Sequence, residues 1–240
     1  MTEIAGQTAQ VFQPSESGRP RFGIIHLHEH GMPPLFDRLA ITSLFTELGF
    51  AGVSLDGQQS WWADRVCTAF DPLISAENYI LQHVLPSFRE RWNLTPRGIG
   101  ITGFGDGGQG ALRLAFKHPT LFPVVSGISS AIDYYDLYGQ GLPLDDMYNS
   151  KEQCRQDSVL MHIHPSHYPP HIFFCIDPED AQWYRGNDRL VEKLNALGIQ
   201  HEADLTTEAG GHTMAYFEHV AERALRFMLK GLEYESRRLL

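Results

Sequence analysis

Gly98-Ile99-Gly100-Ile101-Thr102-Gly103-Phe104-Gly105-Asp106-Gly107-Gly108-Gln109-Gly110-Ala111-Leu112 is the stretch that decides the fold. Its first part, Gly98 to Thr102, reads as a buried strand, and Gly107 to His118 reads as the helix that follows. Between them lies a sharp turn crowded with glycine, at Gly103, Gly105, Gly107, Gly108 and Gly110. The layout is Gly-x-Nu-x-Gly, a strand-to-helix turn that holds a nucleophile in a strained conformation. Glycines flank such a turn because side chains would collide where strand and helix approach. The nucleophile position falls on Gly105, which has no side chain to attack with.

Outward from this turn, the pattern alternates. Phe22 to His28 is an apolar run that reads as a strand, and Leu35 to Leu48 has helical spacing and stops at Gly49. Ala51 to Leu55 is a second buried strand. Ser75 opens a helix to about Trp92, with Pro86 implying a kink or an early end. Phe122 to Ile128 and His171 to Ile176 are further strands. Ala181 to Leu197 is a helix stopped by Gly198, His201 to Leu205 a strand, and Met214 to about Tyr234 a long amphipathic helix. Val11 to Arg21 reads as loop. Asp133 to His167 is irregular and helical by turns, the place for a cap or lid. Alternating strands and helices predict an α/β fold with a mostly parallel sheet and helices on both faces. The expectation is a single domain over residues 1–240 with a cap segment at 133–167.

Composition narrows the function classes. The chain has 240 residues, 42% hydrophobic and 20% charged, with a net charge of −10. Acidity spread along the chain argues against nucleic acid or anionic membrane as partner. The first residues lack the basic and apolar regions of a signal peptide, and no apolar run approaches the ~18 residues of a membrane helix. Cys67, Cys154 and Cys175 are an odd number without metal-type spacing and read as reduced thiols, so a cytoplasmic location is expected.

In an open parallel sheet, function sits at the carboxyl ends of the strands. Three candidates meet there in chain order: the turn at Gly105, the acids Asp177 and Asp180, and His212 in Ala209-Gly210-Gly211-His212-Thr213. A strand-end acid that orients a histidine, which in turn serves a nucleophile, is the logic of a triad. Asp180 is preferred over Asp177 and also suits a helix N-cap. His26, His28 and His30 alternate on or beside one strand, but they match no usual zinc motif, and no metal is expected. Trp61-Trp62 follows a strand end and reads either as a pocket wall for an aromatic or glycan group or as core or lid packing.

These motifs resemble the esterase branch of the α/β-hydrolase fold, the group that includes feruloyl esterases and S-formylglutathione hydrolases. The likeness runs through Gly103 to Leu112, Arg113 to Pro119, Ser126 to Asp133, Asp177-Pro178-Glu179-Asp180 and Gly210-Gly211-His212, and spans about residues 22 to 232. It implies the α/β-hydrolase fold, Asp180 as acid, His212 as base, and no cofactor. It implies an oxyanion hole from the backbone N–H of Asp106 and one near Glu29 to Gly31, with Glu29 and Asp106 crowding a site meant for negative charge. His30, Gly31, Trp61 and Trp62 are then the expected ligand-binding residues, for a small ester-like molecule. The departure is Gly105, where the family has serine. The first expectation is therefore a catalytically impaired homologue that keeps its pocket and binds a ligand or partner. The alternative is an active ester hydrolase using Asp106 as nucleophile or a water activated by His212. Ser126, Ser129 and Ser130 are the other hydroxyls near a strand end. Edge strands and the last helix leave homodimerisation open.

Overall fold

A computed structural model describes residues 2–14 and 19–238 of the chain. Among the described residues, eight strands form one sheet in the order β1-β2-β4-β3-β5-β6-β7-β8. They are β1 (Thr2–Ile4), β2 (Gln7–Phe12), β3 (Phe22–Leu27), β4 (Phe50–Leu55), β5 (Ile99–Phe104), β6 (Val124–Ile128), β7 (His171–Cys175) and β8 (Glu202–Asp204). From β4 to β8 every neighbour is parallel, while β1 and β2 pair antiparallel at one edge. The fold is the expected α/β-hydrolase arrangement.

The two edge strands correct the sequence reading, which assigns no strand before Phe22 and places Val11 and Phe12 in a loop. Ala5 and Gly6 both take positive φ, 46° and 86°. That is the backbone of a two-residue hairpin turn whose twist matches its strands. Ala-Gly is a weak signal for such a turn, and β2 gains its place by pairing with β4, from Ala9 opposite Leu55 to Phe12 opposite Gly52.

The helices are α1 (Leu39–Leu48), α2 (Ala76–Tyr79), α3 (Leu85–Trp92), α4 (Asp106–Lys117), α5 (Leu144–Met147), α6 (Lys151–Gln156), α7 (Tyr184–Ala196) and α8 (Met214–Arg237). α2 and α3 are joined by a wide turn in which the N–H of Leu85 reaches back to the carbonyl of Ile80. The loose turn comes just before Pro86, which lacks an N–H and crowds the preceding turn, so the helix continues instead of ending.

Alternate strand residues face opposite sides. Ile24, Phe104, Val124 and Phe173 share one cluster with Tyr216, Phe217, Val220, Ala224 and Met228 of α8, and Phe50 meets Phe45 of α1 on the same face. Ile25, Val53, Ile101, Val125, Ile172 and Phe174 pack against the helices of the other face. The sheet is therefore buried on both sides, which rigidly places the loops at the carboxyl ends of its strands. Residues 133–167 carry α5, α6 and single helical turns above those ends. Among the described residues, no helix is long and apolar enough to cross a membrane.

Candidate functional site

The turn between β5 and α4 has Gly105 at its apex, with φ 55° and ψ −119°. Side chains rarely adopt this conformation without strain, and it is the one that exposes a nucleophile. Its ends are tied down: the Gly105 N–H donates to Ile128 O at 3.0 Å, and its carbonyl accepts from Ala131 N at 2.9 Å. The helix then starts against β3. A Cβ on Gly107 would lie 2.0 Å from the Leu27 carbonyl oxygen, so only glycine allows this approach.

Asp106 is thus not the apex residue that a carboxylate-nucleophile register requires. It is the first residue of α4 and only 4% exposed. Its Oδ1 accepts the N–H of His30 at 3.3 Å. An N–H expected in the oxyanion hole is thereby taken by a side chain of the protein itself. Burial and the neighbouring Glu29 raise the Asp106 carboxyl well above the usual range, against the opposing hydrogen bonds from Gly107 and His30. Burial favours its neutral form.

His212 is brought in by the loop before α8. Asp177 accepts backbone N–H bonds from Ala209 at 2.6 Å, Gly211 at 2.9 Å and Glu179 at 2.8 Å, and so pins that loop. Asp180, 2% exposed, contacts the imidazole: His212 Nδ1 lies 2.8 Å from its Oδ2. Its Oδ1 accepts the Trp183 N–H at 3.1 Å, so one residue both caps the approach to α7 and orients the histidine. Phe104 packs on the imidazole face at 4.7 Å between ring centroids.

On the far side of the imidazole stands a residue that sequence reasoning treated only as crowding. Glu29, in the loop after β3, places Oε1 2.9 Å and Oε2 3.1 Å from His212 Nε2. This is the nitrogen that would serve a nucleophile in a triad. A Cβ on Gly105 would fall 2.0 Å from Glu29 Oε1 and 2.2 Å from its Cδ. The carboxylate therefore occupies the volume a side chain at Gly105 needs. The signal for it in the sequence was Gly105 itself, because a missing side chain leaves space for another.

Burial opposes charge on His212, but hydrogen bonds to Asp180 and Glu29 outweigh it and push its pKa up to about 9 from 6.5. A raised pKa means the imidazolium is the stable form at neutral pH. Its contribution to stability is complete below pH 6.5 and is lost as pH rises through about 9. In an NMR titration the His212 ring is expected to show a midpoint near 9, falling towards 6.5 in Glu29→Gln. An unchanged midpoint in that variant would mean that Glu29 does not hold the proton.

The site opens into a cavity of about 160 Å³ lined by Glu29, His30, Gln59, Trp61, Asp106, Ala131, Leu142, Pro143 and Trp183. Of the expected binding residues, His30 and Trp61 face it. Gly31 does not line it. Trp62 corrects the reading of both tryptophans as pocket wall: it is fully buried, packs on Gly57 and Gly110, and donates Nε1–H to the His28 carbonyl at 3.1 Å. Trp61 and Trp62 both have positive φ, 53° and 54°. Gln109 Nε2, donating to Trp61 O at 2.6 Å, helps hold this strained segment. Leu142 and Pro143 belong to the expected cap segment.

Ser126, Ser129 and Ser130 are fully buried, and none bonds to His212. The cysteines are free and buried, and burial pushes the Cys154 and Cys175 thiols up to about 12, away from reactive thiolate. His26 is buried and pushed down to about 3 by burial and by His28, so it stays neutral. Among the described residues, no group of three or more His, Cys, Asp or Glu is placed to hold a metal ion.

Residues 62–228 match the model of a family described as "Putative esterase". The chain is similar in fold to an S-formylglutathione hydrolase from Agrobacterium tumefaciens, with TM-score 0.75, 14% identity, and coverage of 96% of this chain and 100% of that one. A ferulic acid esterase superposes with TM-score 0.73, 14% identity, and coverage of 93% and 92%. FphF, a fluorophosphonate-binding serine hydrolase of Staphylococcus aureus, superposes with TM-score 0.73, 16% identity, and coverage of 93% and 92%. No curated protein sequence matches the chain.

Proposed function

The chain belongs to the esterase family whose model spans residues 62–228, and from that membership we propose that it is a member with no serine at the nucleophile position, which binds a small ligand without esterase turnover. The observation that carries this reading is Glu29. Its carboxylate fills the nucleophile's volume at Gly105 and bonds to His212 Nε2 at 2.9 Å. Three requirements of acyl transfer are then unmet together. There is no hydroxyl at the apex. His212 is favoured as imidazolium at neutral pH and has no lone pair with which to take a proton from a water. The His30 N–H, needed to steady a developing oxyanion, bonds to Asp106 instead. In serine triads, losing such groups costs on the order of 10⁶ in rate. The cavity between Trp61 and Trp183 is nevertheless intact, which supports binding as the retained role.

The test is direct. With p-nitrophenyl acetate, hydrolysis at pH 7 is expected to match buffer and to be the same in His212→Ala. A fluorophosphonate probe is expected to leave the protein unlabelled. Turnover above background that disappears in His212→Ala would overturn the proposal and restore an active hydrolase.

A further inference from the structure

The chemistry of the cavity lining is one-sided. Its two ionisable acids, Glu29 and Asp106, face it together, and no lysine or arginine is among the nine lining residues. His212 carries one positive charge between two carboxylates, Glu29 and Asp180, so one negative charge in this row is not cancelled. Asp106 lies next to the row, 4% exposed; its carboxyl takes the backbone N–H groups of His30, 3.3 Å from Oδ1, and of Gly107, but no side-chain donor. A buried carboxyl aimed into a cavity with bonding capacity to spare calls for a donor from a ligand.

The walls add a second preference. Trp61 and Trp183 line the cavity, and Trp61 is held rigid by stacking on Tyr134, with centroids 5.4 Å apart and planes within 14°. The Trp61 Nε1–H is buried without a partner. Indole faces attract cations as well as apolar groups. Leu142, Pro143 and Ala131 complete an apolar lining. A volume of about 160 Å³ limits the occupant, since an apolar cavity of roughly 150 Å³ holds a single benzene ring. The chain's net charge of −10 further raises the local concentration of small cations at a cleft.

We propose that this cavity binds a small primary ammonium ion on an aromatic or alkyl body about one ring in size. The ammonium donates to the carboxyls of Asp106 and Glu29, and the apolar body lies against Trp61 and Trp183. The inference rests on the ligand-binding reading above and adds the sign and size of the ligand.

The probe is benzylammonium, compared with benzyl alcohol and benzoate, with binding read by calorimetry and by tryptophan fluorescence on the unmodified protein. Benzylammonium is expected to bind at least tenfold more tightly than benzyl alcohol, with no binding of benzoate. Glu29→Gln is expected to weaken benzylammonium at least tenfold and to weaken benzyl alcohol much less, so that the preference for the ammonium collapses. Trp183→Ala should weaken both. Equal or tighter binding of the alcohol or of benzoate would overturn the ammonium assignment while leaving a ligand-binding pocket standing. Absence of binding by all three at millimolar concentration would also overturn it. Ester turnover that depends on His212 would instead defeat the underlying reading, whatever the three probes do.

Discussion

Gly105→Ser alone is expected to stay at background esterase activity, whereas Glu29→Ala/Gly105→Ser is expected to gain it. In the single variant the new side chain must occupy space that Glu29 fills, with its Cβ 2.0 Å from Oε1, and the Glu29 carboxylate has to swing aside. Even if it moves, His212 Nε2 is contested by the carboxylate, and its pKa near 9 leaves little neutral imidazole at pH 7. Removing the carboxylate does three things: it clears the volume, lowers the His212 pKa, and leaves Asp180 to orient the ring from Nδ1 at 2.8 Å. The backbone at residue 105 already has the dihedrals that present a nucleophile, φ 55° and ψ −119°. A complete triad is worth on the order of 10⁶ in rate, but an impaired oxyanion hole takes back ~10²–10³. The double variant is therefore expected to hydrolyse p-nitrophenyl acetate on the order of 10³–10⁴-fold above background, and to be labelled by a fluorophosphonate. Adding Asp106→Ala frees the His30 N–H and should raise the rate a further ~10²-fold. If Gly105→Ser alone proves as active as the double variant, Glu29 does not block the site. If the folded double variant is inert, the remaining Asp180–His212 pair is not poised as the distances imply.

Arg113→Met is expected to be the most destabilising single change, at about 3–5 kcal/mol. Arg113 is fully buried in α4, the helix that begins at the apex turn. Its guanidinium bonds to Glu77 of α2 and to Asp157 after α6, and its Nε also reaches the Asp157 carbonyl at 2.8 Å. Glu77 accepts further from Lys117 at 2.6 Å and His118 at 3.2 Å, and Asp157 from Tyr148 at 2.6 Å. The network joins three helical elements to one cation, so removing that cation leaves one buried and one half-buried carboxylate short of compensation. For a chain of this length such a loss lowers the Tm by roughly 10 °C. Glu77→Gln/Arg113→Met/Asp157→Asn should recover much of it, because no buried charge is then left unpaired. The same network sets the acid limit. Burial opposes ionisation of Glu77, but His118, Arg113 and Lys117 outweigh it and hold its pKa at about 2. Asp157 is likewise held low, against its burial, by His162, Arg113 and Tyr148. Groups depressed in the folded state stabilise it above their ordinary values and lose that effect as pH falls. Stability measured by denaturant titration should therefore decline from about pH 4.5 towards pH 2 and be flatter in the triple variant. A cost under ~1 kcal/mol for Arg113→Met would show that the network is not what holds α4 in place.

Local chemistry made the centre of the molecule legible. The glycines around residue 105 record a strand and a helix in contact, and Gly107 against the Leu27 carbonyl is that contact in the structure. The order of turn, acid and histidine along the chain placed Asp180 and His212 at neighbouring strand ends, and they meet at 2.8 Å. Where pattern was weak, the reading failed. The β1–β2 hairpin has a mixed-polarity sequence and an Ala-Gly turn, and β2 is fixed by pairing with β4, some forty residues away. Trp61 and Trp62 are adjacent in sequence, yet one lines the cavity and the other is core, because positive φ at both turns their side chains apart.

The amino-acid order by itself determined the α/β fold, through its alternating apolar strands and helices, and the absence of any side-chain oxygen at residue 105, which is a covalent fact. Tertiary structure alone decided what fills that gap. Glu29 and His212 are 183 residues apart in sequence, and no local propensity or spacing relates them. They meet because β3 and β5 lie side by side and parallel, so the loop after β3 opens directly onto the turn after β5. A carboxylate there can be accommodated because Gly105 lacks a Cβ and the imidazolium between Glu29 and Asp180 offsets the cost of placing negative charge beside buried Asp106.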